Sequence, residues 1–307
     1  MKFLVVGAGA LGGYFGARLL DAGQDVTFLV RAKRAQQLRQ HGLRVHSPHG
    51  DLTLPSPPLV LSADIAQHYD VIIVGCKAYD LDATMESFAA AVGPQTAILP
   101  VLNGMAHLDQ LTARFGKAHV LGGLCLISAT LDAQGGVQHL NDMHGLVFGE
   151  LDATSSDRVT AIEKAMSGAR FDARVSPQMR QEMWEKWVFI TSLASATCLL
   201  RGSVGDIVAA GQADIALTLQ AECNAIAAAH GYAPRAEPAL RTRTMLTTQG
   251  SPITASMLKD LERGGAIEAD HIVGDMLARD PQHNSPTLKT AYAHLKTYEA
   301  RRARTAA

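Results

Sequence analysis

The sequence predicts an α/β fold, with a doubly wound, mostly parallel sheet in the N-terminal half and an all-helical C-terminal half. Three features carry that expectation. Up to about residue 175, short apolar runs of strand length alternate with helical patterns, as they do where crossover helices join parallel strands. A glycine-rich turn separates the first strand from the first helix. Past residue 175 the strand-like runs stop, and segments of helical period follow one another.

Residues 2–6 (KFLVV) are an unbroken apolar run, which reads as a buried strand rather than a targeting signal because glycine interrupts it early. A helical pattern over 11–20 closes at Asp21, Ala22 and Gly23. Residues 26–30 give the second strand and 32–40 the second helix. In GLRVHSPHGDLTL, short alternating runs flank residues 47–50, so an inserted hairpin is expected there. Residues 71–75, 96–99 and 120–127 are further buried strands, separated by helical stretches at 80–92 and 104–115. Helices are then expected over 178–200, 213–230, 234–248, 256–263, 266–279 and 286–301, with the tail RRARTAA as a frayed, solvated end. The expected domains are 1–175 and 176–307, in line with about 150 residues per domain for a chain of 307.

Composition narrows the function. Hydrophobic residues at 47% and charged residues at 19% exclude a disordered or fibrous chain. Lys+Arg 28 against Asp+Glu 29 leaves a net charge of −1, so no strong field draws the protein to nucleic acid or to a membrane surface. No run reaches the roughly 18 apolar residues that span a bilayer. Cys76, Cys125, Cys198 and Cys223 are too dispersed for a disulfide framework, which fits a reducing cytoplasm. A small-molecule partner is the expectation.

Gly7, Ala8, Gly9, Ala10, Leu11 and Gly12 match G-x-G-x-x-G between strand and helix, the opening of a Rossmann-type dinucleotide site. The first glycine allows the turn, the second lets a pyrophosphate approach the backbone, and the third lets the helix pack on the strand. Where an NAD site wants a carboxylate after the second strand, the chain has Arg31, Ala32, Lys33 and Arg34. Arg31 can fork onto a 2′-phosphate, so NADP(H) is the expected cofactor. Histidines at 46, 49, 139 and 144 lack a third ligand at useful spacing, and no metal is expected.

The chain resembles the ketopantoate reductase family, whose members reduce 2-dehydropantoate with NADPH on the way to coenzyme A. The resemblance runs nearly end to end. It rests on the glycine turn, on Val74-Gly75-Cys76-Lys77-Ala78-Tyr79, on Leu102-Asn103-Gly104-Met105, on Trp184-Glu185-Lys186-Trp187, and on Ser256-Met257-Leu258 with Glu268 twelve residues past that serine. It implies that Lys77 and Asn103 touch the nicotinamide end of the cofactor, with Ala129 near it in a loop after a strand. By the same resemblance Lys186 is the catalytic lysine and binds substrate, Ser256 binds the substrate carboxylate, and Glu268 holds a cofactor hydroxyl. A cation at Lys186 suits the chemistry, because a carbonyl that receives a hydride needs charge stabilisation and a proton at its oxygen.

The family's asparagines are missing. Four and eight residues after the lysine, on the same helix face, stand Ile190 and Ala194, and two further asparagines correspond to Val204 and Ile253. Apolar walls would leave a substrate hydroxyl unsatisfied. A more apolar 2-oxo acid therefore stays open, as for the D-2-hydroxyacid dehydrogenases that share this fold, and so does a regulator that binds NADP without turnover. Thr191 and Ser192 could supply replacement polar contacts, and a homodimer also stays open.

Overall fold

The computed structural model describes residues 1–306. The chain forms two compact units, Met1–Leu102 with His107–Arg180, and Asn103–Ala106 with the chain from Gln181 onward.

The first unit runs β1 (Lys2–Val6), α1 (Ala10–Asp21), β2 (Asp25–Leu29), α2 (Ala32–His41), β3 (Leu43–His46), β4 (Leu52–Leu54), β5 (Leu59–Val60), β6 (Tyr69–Val74), α3 (Leu81–Phe88) and β7 (Val92–Pro100). It continues with α4 (Ala106–Phe115), β8 (Gly122–Leu131), β9 (Val137–Gly149), α5 (Asp157–Met166) and β10 (Asp172–Val175). One sheet has the order β5-β2-β1-β6-β7 and is parallel throughout. The second has the order β10-β9-β3-β4, with β8 also paired to β9.

Strand alternation explains the core. Phe3 and Val5 point to the side where Tyr14 and Phe15 of α1 pack, together with Leu43 and Val45 of β3 and Leu146 and Phe148 of β9. Helix α1 is thus enclosed by apolar surface from both sheets, and every residue from Gly12 to Leu19 is buried.

The second sheet corrects one expectation and adds a strand. Residues 120–127 do not continue the parallel sheet, since only Val120 bridges Ile98 there. The chain then turns away as β8 and pairs antiparallel with β9, a strand that the apolar pattern does not reveal because His139, Asn141, Asp142 and His144 interrupt it. The inserted hairpin is present as β3 and β4.

The second unit holds most of α6 (Met179–Leu200), then α7 (Val204–Ala209), α8 (Ala213–Ala229), α9 (Ala236–Thr247), α10 (Ser256–Glu262), α11 (Asp275–Ala278) and α12 (Pro286–Ala306). Helix α7 was not expected; its six residues are too short for a periodic signal. The segment 266–279 is helical without a break from residue 269 to 278, but it opens with a wide π-type turn at Asp270–Gly274 that leads into α11. Of the tail, residues 301–305 are exposed and helical rather than frayed, α12 continues to Ala306, Arg302 Nε donates to the Gly264 carbonyl at 3.0 Å, and residue 307 lies outside the described residues.

Candidate active site

In the first unit, Gly7 leaves β1 with φ +91, a left-handed geometry that favours glycine, and its N–H donates to the Leu29 carbonyl at 2.9 Å. Gly9 is the N-cap of α1, and a Cβ there would meet nothing within 4 Å. Gly12 is the opposite case. A Cβ at Gly12 would lie 2.0 Å from the Gly7 carbonyl oxygen, so the helix is held hard against the turn. The first turn of α1 has no acidic residue, which leaves the positive end of its dipole uncompensated. A backbone open at one glycine, closed at the other, and set at a helix N-terminus fits a dinucleotide pyrophosphate.

Arg31 is the N-cap of α2, with 76% of its side chain exposed and one nitrogen 3.4 Å from Asp80 Oδ1. Such an exposed pair is weak, so the guanidinium can turn to another anion. Arg34 behaves differently, and the basic run gave no sign of it. Its Nε and Nη2 donate to the Ala8 carbonyl at 3.0 and 2.7 Å, and Nη2 also reaches the Gly135 carbonyl at 2.8 Å. Arg34 braces the glycine turn and is not available as Arg31 is.

Half-buried Lys77 follows β6 in extended conformation, and its carbonyl accepts from the Asp80 N–H at 2.9 Å. Asn103 follows β7 by three residues. Within the first unit, the glycine turn, Arg31 and Lys77 therefore come after β1, β2 and β6, three strands that are neighbours in the sheet, and ligands of open α/β sheets bind beyond such carboxyl ends. Ala129 departs from expectation. It lies inside β8, opposite His139 and past a bulge, because pairing with β9 carries the strand through to Leu131.

In the second unit, half-buried Lys186 sits on α6 between two buried tryptophans. Trp184 stacks on His230 and Tyr232 with ring centroids 5.4 and 5.8 Å away, and Trp187 Nε1 donates to the Ile272 carbonyl at 3.0 Å. Next to the lysine, Glu185 takes Arg235 Nε at 2.8 Å and Nη2 at 2.6 Å. Burial alone would raise the Glu185 pKa, but hydrogen bonds from Arg235 and Gln181 outweigh it and hold the carboxyl below its ordinary range. This stretch of α6 is therefore firmly fixed.

Ser256 is exposed and is the first residue of α10; the cap position belongs to Ala255. Glu268 is buried rather than on a solvated face. Of the four apolar replacements, Ala194 and Val204 are buried, while Ile190 and Ile253 keep some exposed surface. The Val204 N–H donates to the Ile253 carbonyl at 2.9 Å, which brings those two together. Thr191 and Ser192 do not replace the lost polar contacts, since their hydroxyls donate to the carbonyls of Ile272 and Val188.

The sequence also concealed a histidine stack in the first unit. The rings of His49 and His144 lie 3.7 Å apart and 13° from parallel, with His139 beside them, and His144 Nδ1 is 3.0 Å from the Tyr14 hydroxyl. Among the described residues, no three His, Cys, Asp or Glu side chains are arranged to hold a metal ion. Among them, too, no helix is long and apolar enough to cross a membrane.

The chain is similar to several known proteins. The family model for ketopantoate reductase PanE/ApbA matches residues 3–153, and that for its C-terminal part matches residues 178–299. The chain is 39% identical over 306 residues to a Bacillus subtilis (strain 168) protein called "Uncharacterized oxidoreductase YkpB", covering 98% of this chain and 99% of that one. A crystal structure of 2-dehydropantoate 2-reductase from Methylococcus capsulatus superimposes with a TM-score of 0.88 at 25% identity, covering 98% of each chain. A D-mandelate dehydrogenase solved with NADH and anilino(oxo)acetate shares the fold, with a TM-score of 0.87 at 20% identity over 98% of this chain and 99% of that one. With both halves matched and a close relative aligned end to end, the chain belongs to the ketopantoate reductase family of oxidoreductases.

Proposed function

We propose that this chain uses NADPH to reduce a 2-oxo acid to the 2-hydroxy acid, and that 2-dehydropantoate is its substrate. The observation that carries the reading is the glycine turn, open at Gly9 and closed at Gly12, with exposed Arg31 after β2 where an NAD site would place a carboxylate. When bound, NADPH supplies the hydride for the carbonyl carbon. Gly7, Ala8, Gly9, Ala10, Leu11 and Gly12 hold the pyrophosphate, and Arg31 pairs with the 2′-phosphate. Lys77 and Asn103 orient the nicotinamide end, and Glu268 accepts from a cofactor hydroxyl. Lys186 carries the proton at Nζ, and its positive charge stabilises the oxygen that receives that proton. Ser256, whose hydroxyl caps no helix, donates to the substrate carboxylate.

A second reading is favoured by Ile190 and Ile253, whose apolar surface suits a bulkier, less polar 2-oxo acid. NADPH oxidation should be followed against 2-dehydropantoate, phenylglyoxylate and branched 2-oxo acids, with Lys186→Ala alongside. Turnover is expected, with kcat lowered by roughly 10²–10⁴-fold in the variant. Preference for phenylglyoxylate would favour the second reading. Full turnover in Lys186→Ala would remove the lysine from the chemistry, and NADPH binding without turnover of any acid would point to a regulator.

A further inference from the structure

The wide turn at Asp270–Gly274 fastens separate pieces of the second unit. The Ile272 carbonyl accepts two side-chain donors from α6, Trp187 Nε1 at 3.0 Å and Thr191 Oγ1 at 3.2 Å. One residue earlier, His271 Nε2 lies 2.6 Å from the carbonyl oxygen of Asn103. A carbonyl only accepts, so Nε2 carries the hydrogen and donates it. Gly104 packs close to the same ring: its φ is +82, and a Cβ there would sit 2.9 Å from the imidazole Cδ2 and Nε2. Turns of the π type interrupt helices at functional sites more often than elsewhere, and this one begins two residues after Glu268.

We propose that His271 is a positioning residue for Asn103, fixing the Asn103-Gly104 turn to the same wide turn that grips the helix of Lys186. No motif in the sequence singles out His271. The proposal rests on the reading of Asn103 as a cofactor contact, and it extends that reading to the group that holds the amide in place. Burial keeps the His271 pKa below the ordinary imidazole range, against the opposing pull of Glu268, the Asn103 carbonyl and Asp275 and with some help from Arg279. The ring therefore donates to Asn103 as a neutral imidazole near neutral pH.

The test compares His271→Leu, which removes the donor, with His271→Gln, which keeps an N–H donor, and with Asn103→Ala, singly and combined. NADPH dissociation constants come from fluorescence titration of the full chain, and melting temperatures report folding. His271→Leu is expected to weaken NADPH by roughly three- to tenfold, His271→Gln to stay within about twofold of the parent, and His271→Leu to add nothing on the Asn103→Ala background. Parent-like affinity in His271→Leu, or equal loss in both histidine variants, overturns the proposal. If Asn103→Ala itself binds NADPH like the parent, the cofactor reading of Asn103 fails instead. Should the leucine variant not fold, His271→Phe, which keeps a ring but has no donor, decides the matter: lost affinity supports the positioning role and unchanged affinity overturns it.

Discussion

Gly9 and Gly12 stand three residues apart, and alanine should separate their roles cleanly. At Gly12 the added Cβ would sit 2.0 Å from the Gly7 carbonyl oxygen, where real Cβ contacts essentially never fall below 3.0 Å. Helix and turn must part by about 1 Å, and the obstacle is backbone that cannot swing aside as a side chain could. Overpacking of this kind costs about 1–3 kcal/mol, and the upper end applies here. At about 2–4 °C per kcal/mol for a domain of this size, Tm should fall by roughly 6–12 °C. At Gly9 the backbone is extended (φ −81, ψ −161), and nothing lies within 4 Å of the added methyl. Alanine there restricts the unfolded chain but is the poorer N-cap, and these opposing effects leave Tm within about 2 °C of the parent. On the proposed reading the methyl occupies the approach of the pyrophosphate, so the NADPH dissociation constant should rise about tenfold or more, equivalent to about 1.4 kcal/mol. Thermal melts and fluorescence titration of both variants give the answer. A Gly9→Ala protein that melts and binds NADPH like the parent would refute the placement of the phosphates over this turn.

Arg31→Asp should weaken NADPH by roughly tenfold to a hundredfold while leaving NADH far less affected, since a charge-assisted bond contributes about 1.5–3 kcal/mol; equal loss of both cofactors in parallel titrations would sink the 2′-phosphate assignment. Burial holds His144 below the ordinary imidazole value of 6.5, with His49, His139 and Arg18 adding to the effect and Asp172 opposing it; burial likewise lowers His271. The unfolded chain therefore takes up these protons first, so the stability they confer is complete above about pH 6.5 and is lost as pH falls through the lower folded-state values. Tm should decline between about pH 7 and 5, and a flat Tm across that window would show that burial does not hold His144 and His271 neutral.

The opening of the first unit was legible because its signals are local. An apolar run, glycines at fixed offsets and a helix start lie within twelve residues, and Arg31 follows at the next strand end. Ile190 and Ala194 could be placed on the Lys186 face by helical period alone. What stayed hidden depends on contacts distant in sequence. β9 reads as polar until β8 pairs with it. The role of Arg34 rests on backbone carbonyls at Ala8 and Gly135, which every residue offers and no pattern advertises. Ala129 was misplaced for a related reason, since a bulged strand continues where the apolar run ends. His271 meets Asn103 across 168 positions of sequence, and the three rings of the histidine stack come from two separate segments.

The grouping of Asn103–Ala106 with the helices has a practical consequence for anyone dividing the gene. A fragment ending at Arg180 would contain the whole glycine turn yet leave those four residues without the helical segments they pack among, His271 included. Such a truncation exposes a raw seam in the middle of the polypeptide, so soluble expression of either half calls for redesign of that short crossing, not just a well-chosen stop codon.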